Sequence, residues 1–364
     1  MKFNNNIFKD NYIFLNSMDD WVRLLDSNGN VIYMNEAMKK SNPSIKIDKC
    51  SLLADTQLSC ISPQTINLNT TVLEEKRINE RYYDIKSSPI YDNSNKFMGT
   101  IEVYRDVTSE VKIKNELFNA NRKMIDDIRF AKNIQQKILP KNGKYSNLIF
   151  SGLYKPSDDL SGDMYDIIKI SEDKYYFYVA DVMGHGVVAS IMTMFVKQTV
   201  NAIIDKHPDF SPSMILSKLN DKFIKLNEDT ESYFTIWIGL FDTKNNKLIF
   251  SNAGHNCIPL IKRNNEIFEL YAKGKMISNY FKESIYEEKT FDLSFGDEIL
   301  FYTDGLTESE NENGQQFGEK RLKNLFLVTS NPFEIIKKAQ NFSWNEQKDD
   351  IVIVNIKYGE KNDK

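Results

Sequence analysis

The stretch I-L-F-Y-T-D-G-L, Ile299 to Leu306, is where the reading of this chain begins. Ile299 to Tyr302 is a short apolar and aromatic run of the kind that forms a buried strand. It leads straight into Thr303, Asp304 and Gly305. A carboxylate at the junction of a strand and a glycine turn is held by a rigid element while its oxygens face outward. The same arrangement recurs. Tyr175 to Ala180 delivers Asp181, followed by Gly184 and Gly186. Asp163 follows Ser161 and Gly162 and precedes the strand-like run Met164 to Ile170. Asp349 and Asp350 head the run Ile351 to Ile356. One Asp at a strand end is an ordinary turn residue. Its repetition at four places points to a site assembled from several strands of one sheet system.

Composition narrows the setting. With 364 residues the chain has room for two domains, each with its own core. Hydrophobic residues at 41% and charged residues at 27% are ordinary globular content. Lys and Arg number 47 against 51 Asp and Glu, a net charge of −4, which disfavours nucleic acid or an anionic membrane as partner. Cys50, Cys60 and Cys257 show no zinc spacing and cannot make a disulfide framework. The first residues lack a secretory pattern, and no run approaches the roughly 18 apolar residues of a membrane span. The expectation is a cytoplasmic protein without a membrane span.

In chain order, Trp21 to Met34 reads as a hairpin around the turn Asp26-Ser27-Asn28-Gly29-Asn30, and a helical stretch opens at Asn35. Arg81 to Ser88 and Phe97 to Asp106 read as strands with a polar turn between them at Asp92 to Lys96. D-S-N-G-N-V-I-Y-M-N-E-A (Asp26 to Ala37) and G-T-I-E-V-Y-R-D-V-T-S-E (Gly99 to Glu110) together resemble a PAS sensor domain. That resemblance implies a sensor over residues 1–108 whose ligand it leaves open. His185, His207 and His255 all lie outside the region, so a haem on a PAS histidine is excluded. Cys50 does not match a flavin-adduct motif, and Cys50 and Cys60 read as small buried apolar residues.

Thr108 to Leu139 reads as one long helix, stopped by Pro140. Ile113, Leu117, Ala120, Met124, Ile128, Ala131, Ile134 and Ile138 make a near-heptad seam along it. Residues 109–140 are therefore expected to be a linker that forms a homodimer. From Leu148 onward strands come first, then helices at His185 to Ile204 and Ser213 to Leu226, then strands again. Further helices are expected at Lys320 to Val328 and Pro332 to Phe342, before a last strand. Antiparallel strands with helices inserted in blocks give an α+β fold, two antiparallel sheets flanked by helices, over residues 141–364.

Five ordered motifs make a second resemblance specific. They are Ser161-Gly162-Asp163-Met164-Tyr165-Asp166, Asp181-Val182-Met183-Gly184-His185-Gly186, Asn252-Ala253-Gly254-His255-Asn256, Tyr302 to Glu308, and Lys348-Asp349-Asp350-Ile351. The region from about Phe130 to Tyr358 resembles the PPM-type metal-dependent protein serine/threonine phosphatases of the bacterial SpoIIE/RsbU type. Ala131 to Pro140 resembles the linker end that precedes the phosphatase core in that branch. The resemblance implies an α-β-β-α sandwich, a pair of Mn2+ or Mg2+ ions, and hydrolysis of phosphoserine or phosphothreonine. The substrate it implies is a phosphorylated STAS-type anti-sigma-factor antagonist. It also implies that Asp181 bridges both ions and that the Val182 carbonyl completes one shell. Asp304 and Asp349 hold the other ion and Asp163 is a further ligand, with Asp350 as the alternative to Asp349. Carboxylates without cysteine suit such hard ions. Gly184 and Gly186 would let the chain turn near them.

Two other readings compete. A degenerate phosphatase fold could serve as a regulatory binding protein, against which stands the presence of all four Asp positions. A nucleotide-cyclase remnant at Ser161-Gly162-Asp163 leaves Thr303-Asp304-Gly305 and the C-terminal Asp pair unexplained. His255 and His185 both read first as supporting residues, His255 turning the chain between strands; a substrate contact is the alternative for His185, where a helix starts.

Overall fold

A computed structural model describes residues 12–41, 61–78, 80–157, 159–226, 232–344 and 347–359. Cys50 and Cys60 lie outside the described residues. The chain divides into two compact units, Met1–Lys123 and Met124–Lys364.

The first unit holds β1 (Trp21–Asp26), β2 (Val31–Met34), α1 (Glu36–Ser41), α2 (Ser62–Leu68), β3 (Val72–Ile78), β4 (Arg81–Tyr91) and β5 (Phe97–Asp106). They form one antiparallel sheet of order β2-β1-β5-β4-β3. Its hairpin turns are built by aspartates that accept from the backbone ahead of them. Asp26 Oδ1 accepts from Asn28 N and Asn30 N, and Asp92 Oδ1 from Ser94 N and Lys96 N. The sequence pattern shows β1, β2, β4 and β5 but misses α2 and β3. β3 alternates half-buried and exposed residues (Val72, Glu74, Lys76 against Leu73, Glu75, Arg77), so it lacks an apolar run.

A long helix, α3 (Thr108–Lys137), follows and stops short of Pro140. The second unit then runs β6 (Gly143–Tyr145), β7 (Leu148–Lys155), β8 (Asp163–Lys169), β9 (Lys174–Val182), α4 (Gly186–Lys206), α5 (Pro212–Leu226), β10 (Tyr233–Asp242) and β11 (Lys247–Ala253). After these come β12 (Leu260–Arg263), β13 (Glu266–Glu269), β14 (Ile277–Ser278), β15 (Glu288–Asp292) and β16 (Glu298–Tyr302). The chain closes with α6 (Asp304–Thr307), α7 (Gly318–Val328), α8 (Pro332–Phe342) and β17 (Ile351–Tyr358). One sheet has the order β15-β11-β10-β9-β8 with β14 beside β10; the other has the order β13-β12-β16-β17-β7-β6. Every recorded pairing in both is antiparallel.

Side-chain alternation explains the layering. In β9, Tyr175, Phe177 and Val179 face Phe150, Trp237, Phe301 and Val354 in the core between the sheets. Their neighbours Tyr176, Tyr178, Ala180 and Val182 face Val196, Val200, Leu216 and Phe223 of α4 and α5. On the far side Leu300, Tyr302, Ile351 and Ile353 pack on Leu322 and Phe326 of α7 and on Ile335 and Ala339 of α8. The result is helix, sheet, sheet, helix. A strand buried on both faces has no polar alternation, which is why Tyr175 to Ala180 and Ile299 to Tyr302 read as unbroken apolar runs.

α4 departs from expectation in one respect: by length and composition it is apolar enough to cross a membrane. Its Ala189, Val196, Val200, Ile203 and Ile204 recur at helical spacing and are buried in the core.

Candidate functional site

The parity that builds the central core also places the acids. Asp181 continues the face of Phe177 and Val179, and Asp163 that of Tyr165 and Ile167. The two are direct partners across the β8–β9 ladder. In the other sheet Asp350 shares the parity of Val352 and Val354, while Thr303 shares that of Ile299 and Phe301. All four therefore point into the space between the sheets, at one end of it.

Close backbone approaches hold this end together. Thr303 N–H donates to Val352 O (3.1 Å) and Thr303 Oγ1 accepts from Val352 N (2.9 Å), clamping the end of β16 to the start of β17. Gly305 has no room for a side chain, since a Cβ there would stand 2.1 Å from Asp350 O. A Cβ on Gly162 would meet Val182 O and Gly184 O, each at 2.7 Å. Asp350 ties the sheets to each other. Its Oδ1 accepts from Ser157 N (2.7 Å) and Ser157 Oγ (2.9 Å), and its Oδ2 accepts from Gly162 N (2.9 Å).

The two C-terminal acids thus differ in kind. Asp350 is buried and engaged at both oxygens. Asp349 is exposed, and its Oδ1 accepts from Asp350 N. Asp349 also lines a cavity of about 190 Å³ with Gly305, Glu308, Glu310, Gln316 and Lys348.

Electrostatics shows that the acids share one place. Burial and the neighbouring charges of Asp181, Asp350 and Asp304 raise the Asp163 carboxyl far above the usual range, opposed by the Thr303 hydroxyl. Burial, then Asp304, Asp349 and Asp350, push Asp181 up to about 7. Asp349 is raised by burial and by Asp304 and Asp350. Such mutual repulsion is relieved by a cation among the acids.

The donor set fits hard divalent ions. Asp163 Oδ2 is sealed from solvent and has no hydrogen-bond partner, which for a carboxylate oxygen is expensive unless a cation completes it. Among the described residues, no three His, Cys, Asp or Glu side chains converge closely enough to enclose an ion by themselves. These acids would supply part of each shell and leave the rest to water and substrate, as Mg2+-like ions require.

Two functional neighbours escaped the sequence reading. Gln135, near the end of α3, is buried. Its Nε2 donates to Ser161 O (2.8 Å) and Thr193 Oγ1 (3.2 Å), and its Oε1 accepts from Ser161 N (3.2 Å) and Tyr154 OH (3.1 Å). Ser161 Oγ in turn accepts from Asp163 N (3.0 Å). One amide therefore positions the residue that orients Asp163. The chain signal for it was the polar Gln135 among the apolar seam residues. Gln135→Leu should weaken Mn2+ binding roughly 10- to 100-fold, the usual scale for a residue that orients a ligand; an unchanged Mn2+ titration would refute this role.

The second is Glu308, whose carboxyl is raised by burial and then by Asp304 and Asp349. It is the last residue of the Tyr302 motif, and nothing in its sequence neighbourhood marks it.

The histidines separate. His185 is exposed and precedes α4, and it acts to lower the Asp349 carboxyl. His255 is buried, with Nε2 3.3 Å from Tyr302 O and Nδ1 3.1 Å from Thr235 Oγ1. A carbonyl only accepts, so Nε2 carries the proton and Nδ1 accepts from Thr235. Thr235 is the register partner of Asp181, so His255 braces the two sheets just behind the acids.

Burial pushes the His255 imidazole down to about 4 from 6.5. Between those values the unfolded chain binds more protons, so stability falls as pH drops through the window. We expect a loss of about 2 kcal/mol between pH 7 and pH 5 from this group, at ~1.4 kcal/mol per unit. Urea unfolding of His255→Gln should show a correspondingly flatter pH dependence; an equal slope would remove His255 as the cause.

Comparison with known proteins places this architecture. The chain is 27% identical over 192 residues to phosphoserine phosphatase RsbU of Bacillus subtilis (strain 168), covering 52% of this chain and 55% of that protein. It is 24% identical over 185 residues to phosphoserine phosphatase RsbP of the same organism, covering 50% of this chain and 45% of that protein. The chain thus spans about half the length of these curated relatives. Among solved structures, the SiaA-PP2C domain of Pseudomonas aeruginosa superposes with a TM-score of 0.58 at 23% identity. That match covers 66% of this chain and 98% of that one, and it shows a shared fold. The family model described as stage II sporulation protein E (SpoIIE) matches residues 171–359, more than half of the sequence, and the chain belongs to that family.

Proposed function

We propose that this chain is a cytoplasmic, PAS-regulated, Mn2+- or Mg2+-dependent protein phosphatase. It removes phosphate from serine or threonine of a partner protein, a STAS-type anti-sigma-factor antagonist. One observation carries the reading: Asp163, Asp181 and Asp349, far apart in sequence, are each raised by neighbouring carboxylates that include both Asp304 and Asp350. The names of the two relatives, both phosphoserine phosphatases, support it.

Asp181 would be shared between two ions, with the Val182 carbonyl beside it. Asp304 and Asp349 would hold one ion and Asp163 would complete the set. Ions held there supply Lewis acidity and charge neutralisation for in-line attack of water on the phosphate. The residues of this chain do the rest. Asp350 fixes the two sheets to each other, Thr303 clamps the start of α6 that carries Asp304, and Gln135 and Ser161 orient Asp163. His185, exposed and acting on Asp349, would be the residue to meet the substrate.

Asp349 and Asp350 should part company on mutation. Asp349→Asn should leave stability near that of the wild type and sharply reduce Mn2+ affinity. Asp350→Asn should cost about 2–3 kcal/mol, because an amide cannot accept from donors at both of its ends. Chemical denaturation and metal titration of both variants decide the matter, and a reversed pattern would make Asp350 the ligand.

The five-stranded sheet of the first unit supports a PAS sensor at 1–108. Along α3, Ile113, Leu117, Met124 and Ile134 are exposed, which supports residues 109–140 as a linker that pairs with a second copy. The phosphatase unit is assigned to 141–364. The test is phosphate release from a phosphorylated STAS protein and from p-nitrophenyl phosphate by the full chain, with Mn2+ or with chelator. Metal-dependent release is expected; its absence with both substrates overturns the reading.

A further inference from the structure

The cavity beside Asp349 has a chemistry that the hydrolytic step does not use. It lies between the segment that follows α6 and the segment that leads into β17, and it measures about 190 Å³. Three carboxylates, Glu308, Glu310 and Asp349, line it against one ammonium, Lys348. Its walls are tied to one another. Lys348 Nζ donates to Glu310 Oε2 (2.8 Å), and Trp344 N donates to Glu310 O (3.1 Å). Gln347 Nε2 donates to Asp349 O (2.7 Å) and to Lys155 O (2.8 Å).

Three features remain once these bonds are made. The Glu308 carboxylate has no hydrogen-bond or ion-pair partner among the described residues. Gln347, which also lines the cavity, has an amide oxygen that is sealed from solvent and without a hydrogen-bond partner. Trp344, next in sequence to the lining residue Ser343, is 71% exposed. Tryptophan is enriched among the residues that anchor one protein on another, and its ring face attracts cations best of the aromatic side chains. Surplus acceptors and an open indole beside a negative cavity suit a cation that carries hydrogen-bond donors.

We infer that this cavity takes a lysine or arginine side chain of the protein substrate, near the phosphorylated serine or threonine, with Glu308 as its counter-ion and Trp344 at the rim. The inference rests on the phosphatase reading above. Asp349 belongs to both places, as a ligand in that reading and as part of the cavity lining. A phosphate brought to Asp349 therefore carries its flanking residues across the cavity, at about 3.5 Å per residue of extended chain. Charge selects the class. An acidic side chain would meet three carboxylates, and an apolar one would strip them of water without replacing its hydrogen bonds. A guanidinium or ammonium gives Glu308 the partner it lacks, while Lys348 keeps Glu310.

The test uses the full chain with Mn2+ and a set of phosphoserine peptides that differ at one flanking position at a time, each position carrying Arg, Lys, Ala or Glu. At one position at least, Arg and Lys should give a KM roughly tenfold below that of Ala, the worth of one hydrogen bond to a charged group. Glu should give the highest KM, with kcat little changed across the set. Glu308→Lys should reverse the order at the same position, and Trp344→Ala should narrow the gap between Arg and Ala. Non-hydrolysable phosphonate versions of the peptides, titrated calorimetrically, should show the same order in Kd. If no peptide loses phosphate, the phosphatase reading fails, and the phosphonate affinities still decide the role of the cavity. The inference is overturned if the Arg, Ala and Glu peptides bind alike or not at all, or if Glu308→Lys keeps the wild-type order. A cavity that holds a metal ion instead would show as a lower Mn2+ stoichiometry in Glu308→Lys with the peptide order unchanged, which also overturns it.

Discussion

Asp181→Ala should lower phosphatase turnover by roughly 10³-fold or more, the scale on which loss of one preorganised charge-stabilising group is felt. At the same time it should make the metal-stripped protein more stable. Asp181 is a half-buried carboxylate raised by burial and by the charges of Asp304, Asp349 and Asp350. A carboxyl raised to about 7 against an ordinary 3.8 costs stability that is absent below the lower value and fully present above the upper one. In chelator at pH 8 the variant should therefore melt above the wild type, by a margin on the order of a few kcal/mol. With Mn2+ the order should reverse, because only the wild type gains the binding energy of the ions. Activity assays and melting curves with and without Mn2+ check both halves. A variant less stable than the wild type in chelator would mean that Asp181 is a structural residue and not a ligand.

Gly305→Ala carries the second large effect, and it is steric. The added methyl would stand 2.1 Å from Asp350 O, 3.0 Å from Asp350 C and 3.2 Å from Asp349 C. These are backbone atoms in the segment that leads into β17, so no side-chain rotation relieves the clash. The expected cost is about 3 kcal/mol, at the upper end for overpacking. Asp304, at the start of α6, and Asp349 sit on the two segments forced apart, so Mn2+ affinity should fall with stability. Gly314→Ala is a useful control. It has open space around its Cβ position and only a left-handed φ of 71° to strain, so it should cost about 1 kcal/mol and leave Mn2+ binding unchanged. If both variants bind Mn2+ like the wild type, the spacing of the two loops does not set the site.

Much of this molecule was legible in the chain. The apolar runs at Tyr175 to Ala180, Ile299 to Tyr302 and Ile351 to Ile356 are strands because both their faces are buried, and that leaves an unbroken hydrophobic signal. The Asp residues stand at their ends, so candidate ligands could be picked by position. Pro332 to Phe342 was read with both ends correct, because Asn331 caps it and Pro332 opens it. Local chemistry of this kind is written into a few neighbouring residues and survives without knowledge of the fold.

What the sequence could not decide were matters of long-range approach. Adjacent letters give Asp349 and Asp350 the same look; only the fold brings Ser157 and Gly162, nearly two hundred residues earlier, to donate to Asp350. Gln135 reads as one more polar position on a helix until the fold lays it against Ser161. β3 and α2 gave no pattern, because half-buried and short elements draw their stability from the sheet they join. Periodicity and turn chemistry are properties of the local chain, whereas hydrogen-bond partners and charge crowding depend on distances that only tertiary packing sets.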